Sequence, residues 1–327
     1  MNFQGLLLAG GEGTRLRPLT RQVPKPVIPL VNRPFLHYQL DLLSRAGITK
    51  ASLLSGFGAS RIRAALGSHA RGVDLDFIEE KEPLGTGGAV GNAGRLLRAP
   101  AVVTNGDVLT DLDIADALRF HREKGGLGTL VLHPVADPRR YGVVLTDASG
   151  KIRQFMEKPE HPPSNLINAG FYLLEPEFFD LIPAGPSSIE RDIFPRILET
   201  GGALFAYVHR GYWLDIGTIE SYRRATRDLL DGALPAFHAE AVRRRIQSAL
   251  PDSASADAFS VIGPRCVVSG GARIEDSVLF GESALGADCR IRGSILGFGC
   301  RVAPGARVED AVLVPSVPTG TEGTEGA

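Results

Sequence analysis

The chain has 327 residues and a mass of 34.9 kDa, more than one small core ordinarily serves, so two domains are expected. Its 36 basic and 37 acidic side chains leave a net charge of −1, which excludes any global electrostatic drive towards nucleic acid or an anionic membrane. No stretch reaches the ~18 apolar residues of a membrane span, Met1-Asn2-Phe3-Gln4-Gly5 lacks a signal-peptide pattern, and Cys266, Cys289 and Cys300 make neither a disulfide framework nor a metal pair; a cytoplasmic protein is expected.

In chain order, Gly5–Ala9 is a short apolar run stopped by Gly10-Gly11 and reads as a buried strand. From Pro34 to Ala46 the apolar residues fall on a helical stripe closed by Gly47. The next strand is Ala51–Leu54, followed by a helix over 60–66, an alternating strand over Val73–Ile78 and a helix over 89–97. Ala101–Thr104 is again a strand, ending at Asn105-Gly106-Asp107. Strands separated by helices of this length require crossovers, which predicts an α/β, Rossmann-like, mostly parallel sheet with helices on both faces. Ligands of such sheets bind beyond the carboxyl ends of the strands. Residues 10–15 and 105–107 both fall there.

This first domain is expected to cover 1–231, with a linking helix and loop over 232–258. Beyond it Arg273-Ile274-Glu275-Asp276-Ser277-Val278-Leu279 returns as Arg290–Leu296 and as Arg307–Leu313. The repeat, with aliphatics at Ile262, Val268, Ile274, Leu279, Leu285 and Ile291 and onwards, predicts a parallel β-solenoid with three short strands per coil over 259–314. About three coils is a short stack, which implies a cap from the first domain or from another subunit. Residues 315–327, made chiefly of Pro, Thr, Gly and Glu, are expected to be a disordered tail.

Several residues carry possible chemistry. In Leu8-Ala9-Gly10-Gly11-Glu12-Gly13-Thr14-Arg15 the glycines let backbone N–H groups approach an anion, and Arg15 and Arg17 add positive charge. The loop is neither a P-loop, for no Gly-Lys-Ser/Thr follows, nor a dinucleotide fingerprint, for Leu16 stands at the third glycine. A bend that any α/β protein needs would look similar. In Pro24-Lys25-Pro26 two prolines hold one lysine, which suits a phosphate clamp or a solvated loop. Asp107 ends a strand, and Asp215 lies in the apolar stretch Tyr212-Trp213-Leu214-Asp215-Ile216-Gly217, where a lone carboxylate is costly unless paired or bound to a metal. Without histidines or cysteines beside them, two such carboxylates favour a hard ion such as Mg²⁺; each alone also fits a cap or a turn. Glu157-Lys158-Pro159 offers a second proline-flanked lysine, for a second anionic substrate or for a surface turn. No histidine stands beside a serine or cysteine as in a nucleophilic site.

The run Gly10-Gly11-Glu12-Gly13-Thr14-Arg15-Leu16-Arg17-Pro18-Leu19-Thr20, followed by Pro24-Lys25-Pro26, resembles the signature of the sugar-phosphate nucleotidylyltransferases. The similarity continues through Glu82–Gly88, Asn105-Gly106-Asp107, Tyr141–Val144, Glu157-Lys158-Pro159, Asn168-Ala169-Gly170 and Trp213–Gly217, and the hexapeptide-like solenoid matches the two-domain members. Pro83–Thr86 and Ser187-Ser188-Ile189-Glu190-Arg191-Asp192-Ile193-Phe194-Pro195 most resemble the mannose-1-phosphate guanylyltransferases of that family.

The resemblance implies attack of a sugar-1-phosphate oxygen on the α-phosphorus of a nucleoside triphosphate with loss of pyrophosphate, GTP and mannose-1-phosphate being the expected pair. Thymidylyl, uridylyl or adenylyl transfer to glucose-1-phosphate is the alternative. It further implies a left-handed parallel β-helix and homo-oligomerisation through it. Leu8, Gly10, Gly11, Gly13, Thr14, Gly85 and Thr86 would bind the nucleotide, Arg15 and Lys25 its phosphates, Asp107 and Asp215 Mg²⁺. Gly142 and Lys158 would bind the sugar phosphate, Glu157 and Asn168 the sugar. Glu80 falls where thymidylyl-transferring relatives place a base-reading amide, and a carboxylate there can accept from guanine N1–H and N2–H₂. Two further readings are a regulatory relative without turnover, disfavoured by the presence of every expected acid and base, and an acyltransferase. The latter is disfavoured by the short solenoid and the lack of any histidine from Ala239 to Ala327.

Overall fold

The computed structural model describes residues 3–315 apart from 57, 81 and 98, so the expected tail, Pro315 excepted, lies outside the described residues. The chain divides into two compact units, one of Met1–Arg15, Pro24–Ile28 and Pro34–Ala225, the other of Leu16–Val23, Pro29–Arg33 and Thr226–Ala327. No helix among the described residues is long and apolar enough to cross a membrane.

In the first unit, β1 (Gln4–Leu8) lies between β2 (Lys50–Ser55) and β4 (Ala101–Asn105) and parallel to both, with β3 (Val73–Glu79) parallel on the far side of β2. The crossovers are α1 (Leu36–Arg45), α2 (Ala59–Leu66) and α3 (Gly85–Leu97). Leu6 packs with Ala89, Val90 and Ala93 of α3, while Leu7, pointing to the opposite face, is just as fully buried. Burial on both faces is why β1 reads as an unbroken apolar run rather than an alternating one.

Helix α3 starts at Gly85, earlier than its apolar periodicity suggests, because glycines fill its first turns. A Cβ on Gly94 would fall 2.1 Å from the Phe179 ring, and one on Gly88 2.4 Å from the Gly185 carbonyl. Close packing offsets the ~1 kcal/mol that each interior glycine costs a helix.

After β4 a short turn leads into β5 (Val108–Thr110), which leaves the main sheet. Following α4 (Ile114–Lys124), capped by the Asp113 carboxylate, the chain re-enters that sheet as β6 (Gly128–Pro134), β7 (Gly142–Thr146), β8 (Ile152–Glu157) and β9 (Leu166–Leu174). Here the pairing turns antiparallel: β9 joins β4 to β6, and β7 pairs with β8 at the edge. After α5 (Pro176–Asp180) and α6 (Phe194–Glu199), β10 (Leu204–Val208) runs parallel to β6. The last strand, β11 (Trp213–Asp215), pairs antiparallel with β5 alone. The sheet is therefore mixed: its N-terminal half is parallel, and most of the rest antiparallel.

The second unit is a parallel β-helix whose short strands form three in-register sheets. Ile274 pairs with Ile291 and Ile291 with Val308, and hydrogen bonds recur at a separation of 17 residues. Ile262, Ile274, Leu279, Leu285, Ile291 and Leu296 pack inside as one core. Cys266, Cys289 and Cys300 are free thiols buried in the same cluster, where they act as small apolar residues. The coil begins at Ser255–Ala256, which pairs with Arg273-Ile274. Two N-terminal segments join this unit. Gln22 exchanges hydrogen bonds of 2.9 and 3.0 Å with the Phe298 backbone, and Asn32 Nδ2 donates to the carbonyls of Arg244 (2.7 Å) and Ile262 (2.8 Å).

Candidate active site

A cleft of about 490 Å³ opens at the carboxyl ends of the parallel strands, lined by Leu8 of β1, Leu54 of β2, Glu80 just past β3 and Asn105 of β4. Every residue expected at the nucleotide lines it: Leu8, Gly10, Gly11, Gly13, Thr14, Glu80, Gly85 and Thr86, together with Arg15, Lys25 and Asp107. Gly13 has φ +63°. At Gly106 a close approach demands glycine, since a Cβ would meet the Leu8 carbonyl oxygen at 2.4 Å.

Asp107 is held from several sides. Gln39 of α1, 1% exposed, donates to the Asn105 carbonyl at 2.7 Å and to the Val108 carbonyl at 3.1 Å, and accepts from the Thr104 hydroxyl at 2.8 Å. This buried amide pins both sides of the turn. Its sequence signal is a glutamine within the apolar stripe of α1. The Lys25 ammonium lies 2.6 Å from Asp107 Oδ2, carried by a 3₁₀ turn that begins after Pro24 in extended geometry.

Asp215 reaches the same place from the antiparallel β5–β11 pair. It stands opposite Val108, and Ile216 N donates to the Asp107 carbonyl at 2.8 Å. Burial first, and then the charge of Asp107, push the Asp215 carboxyl up to about 6, while Lys25, Arg15 and Lys158 draw it down. Its Oδ1 is buried without a hydrogen-bond partner among the described residues. Asp215 does not line the cleft, but Gly217 does, and a Cβ there would fall 2.8 Å from Arg15 Nη2. Arg15, Lys25, Asp107 and Asp215 therefore gather at one end of the cleft. Two converging carboxylates, one with an orphaned buried oxygen, suit a hard divalent cation. Among the described residues no group of three or more His, Cys, Asp or Glu forms a metal cage.

Gly142, Glu157, Lys158 and Asn168 form a second group outside the lining of the cleft. Gly142 pairs with Glu157 across β7 and β8, and a Cβ on it would meet the Phe155 ring at 2.5 Å and Glu157 Oε2 at 3.1 Å. Lys158 Nζ lies 3.0 Å from Glu157 Oε1. The register of β9 on β6 shifts just after Asn168. Asn168 Nδ2 donates to the Tyr172 hydroxyl at 2.8 Å, and its Oδ1 accepts from Gly170 N at 3.1 Å. Trp213, which the sequence reading gave no role, donates from Nε1 to the Ala169 carbonyl at 2.9 Å and stacks on His133, tying β11 to β9.

Residues 4–232 match the family described as Nucleotidyl transferase, and residues 246–322 match the GMPPB C-terminal domain. The chain belongs to the nucleotidyl transferase family. Its activity is transfer of a nucleotidyl group from a nucleoside triphosphate to a sugar-1-phosphate. Over 297 residues it is 38% identical to the mannose-1-phosphate guanylyltransferase of Mycobacterium tuberculosis, covering 88% of this chain and 82% of that one. The mannose-1-phosphate guanyltransferase beta-B of Xenopus laevis is 41% identical over 221 residues, 66% of this chain and 61% of its own length. Among solved structures, HddC from Yersinia pseudotuberculosis complexed with GMP-PN is 30% identical with a TM-score of 0.60, covering 68% of this chain and 97% of that one.

Proposed function

We propose that this chain makes GDP-mannose and pyrophosphate from GTP and mannose-1-phosphate. The observation that carries the reading is the convergence of Lys25, Asp107 and Asp215 beside a glycine-lined cleft. A phosphate oxygen of mannose-1-phosphate attacks the α-phosphorus of GTP. A new P–O bond forms as the bond to the β-phosphate breaks, and pyrophosphate leaves. Such a displacement needs in-line placement and charge neutralisation rather than a covalent intermediate.

Gly10, Gly11 and Gly13 aim backbone N–H groups at the triphosphate, and Arg15 and Lys25 neutralise the charge gathering on the departing pyrophosphate. Lys158 and Gly142 receive the sugar phosphate, and Glu157 and Asn168 the sugar hydroxyls. Asp107 and Asp215 are the residues that would hold Mg²⁺, which when bound screens the crowded phosphates from one another. Glu80 already accepts from Leu84 N at 3.1 Å through Oε2, which orients the carboxylate and leaves Oε1 for the paired donors of guanine. The buried free thiols and the matched charge agree with a cytoplasmic enzyme, and the same reading includes homo-oligomerisation through the solenoid, where Val267 and Leu313 stand exposed.

Pyrophosphate release measured with each of four triphosphates against mannose-1-phosphate and glucose-1-phosphate tests this. GTP with mannose-1-phosphate is expected to be the fastest pair. A preference for dTTP, UTP or ATP with glucose-1-phosphate would overturn the assignment.

A further inference from the structure

The segment Ser187–Pro195 takes part in no step above, yet its Glu190 stands between the two groups of site residues. Glu190 Oε2 accepts from the Thr86 hydroxyl at 2.8 Å and from the Ser188 hydroxyl at 2.9 Å. Its Oε1 accepts from the Tyr172 hydroxyl at 3.4 Å, and that hydroxyl accepts from Asn168 Nδ2 at 2.8 Å. The Thr86 hydroxyl also accepts from Ile189 N at 3.0 Å. A continuous line of hydrogen bonds thus joins Asn168, Tyr172, Glu190 and Thr86.

Two features make this line more than a surface contact. An ionised acceptor strengthens each bond it receives, and linked bonds polarise one another in a poorly solvated setting. Tyr172 is 0% exposed, so its hydroxyl has no water to turn to, and burial together with the Glu190 charge keeps its phenol protonated as a donor. The Thr86 hydroxyl is taken up inside the network. It therefore reaches the nucleotide by fixing the first turn of α3, which also carries Gly85.

We propose that Glu190 is a positioning residue that couples the two substrate subsites. Through Tyr172 it sets the Asn168 amide on the sugar side, and through Thr86 it sets the start of α3 on the nucleotide side. The inference rests on the assignment of those two sides given above.

The test uses the full chain and the triphosphate and sugar phosphate that the wild type turns over fastest. KM values come from pyrophosphate release, and the triphosphate Kd from calorimetry without sugar phosphate. Tyr172→Phe is expected to raise the sugar-phosphate KM about tenfold and leave the triphosphate Kd within about twofold. Thr86→Val is expected to raise the triphosphate Kd about fivefold. Glu190→Ala raises both, and Glu190→Gln, which keeps the shape and one acceptor, recovers most of the loss. In the Glu190→Ala background the other two substitutions add less than about twofold each.

Undiminished effects of Tyr172→Phe and Thr86→Val in that background would overturn the coupling. So would a Glu190→Ala protein with a lower thermal midpoint but unchanged affinities. Should Glu190→Ala fail to fold, Glu190→Asp decides, its shorter arm being unable to span Tyr172 and Thr86 together: a rise in both the sugar-phosphate KM and the triphosphate Kd supports the proposal, and wild-type values for both overturn it. A wild type that prefers a pair other than GTP and mannose-1-phosphate refutes the substrate assignment alone, since the coupling is then measured on the preferred pair.

Discussion

The Lys25 ammonium lies 2.6 Å from Asp107 Oδ2, with side-chain exposures of 12% and 32%. A lysine held between two prolines thus meets a carboxylate delivered by the turn after β4. Each partner holds the other in place, and on the proposed reading phosphate competes with Asp107 for the ammonium. Loss of either preorganised charge is expected to lower turnover by about 10²–10³. Lys25→Ala and Asp107→Asn, assayed by pyrophosphate release at saturating substrate, measure this; a variant above a tenth of wild-type turnover removes its residue from the mechanism.

Asp215 gives a pH dependence with a definite sign. Its carboxyl is pushed up to about 6 from 3.8 by burial and by Asp107. Between those values the folded protein holds a proton that the unfolded chain has released, so this group makes stability fall as pH rises through that window. Asp215→Asn removes the effect. In metal-free buffer its thermal midpoint should exceed that of the wild type by more at pH 8 than at pH 4, even as turnover is lost. An equal difference at the two pH values would show that Asp215 ionises without cost.

Glu80 is expected to set the base. Replacing it with Gln exchanges one acceptor for a donor that meets the guanine donors head-on, and an unmatched buried polar group costs about 1–3 kcal/mol. The ratio of kcat/KM for GTP to that for ATP should fall roughly tenfold or more in Glu80→Gln. An unchanged ratio assigns base selection to other groups.

Gln39 is a structural prediction with a catalytic echo. Gln39→Leu leaves the carbonyls of Asn105 and Val108 and the Thr104 hydroxyl without their present partner. The expected loss is about 2–4 kcal/mol in urea unfolding, with a fall in kcat because the turn bearing Asp107 loosens. Wild-type stability would mean that water or another donor replaces the amide.

Much of this fold was open to reading along the chain. The strand–helix alternation from Gln4 to Asn105, the glycine loop, the proline-flanked Lys25 and the repeating solenoid are local periodicities, carried by residues a few positions apart. The antiparallel half of the sheet was not so marked: β6 to β9 are apolar runs like the others, and the direction in which they pair depends on distant strands. Glu190 was legible as part of a motif but not as a hub, because its partners Thr86 and Tyr172 come from α3 and β9.

Composition and spacing by themselves determined that the chain holds an α/β sheet followed by a coiled stack, and which glycines, acids and lysines stand at strand ends. Tertiary structure alone decided that Asp107 and Asp215 share one place, that Gln22 and Asn32 belong with the second unit, and that a buried glutamine supports the turn bearing Asp107. The reason is physical. Burial periodicity is written within a single element, whereas the register of β5 on β11, and every hydrogen bond between elements, is chosen by what else is available to pair once the chain has closed on itself.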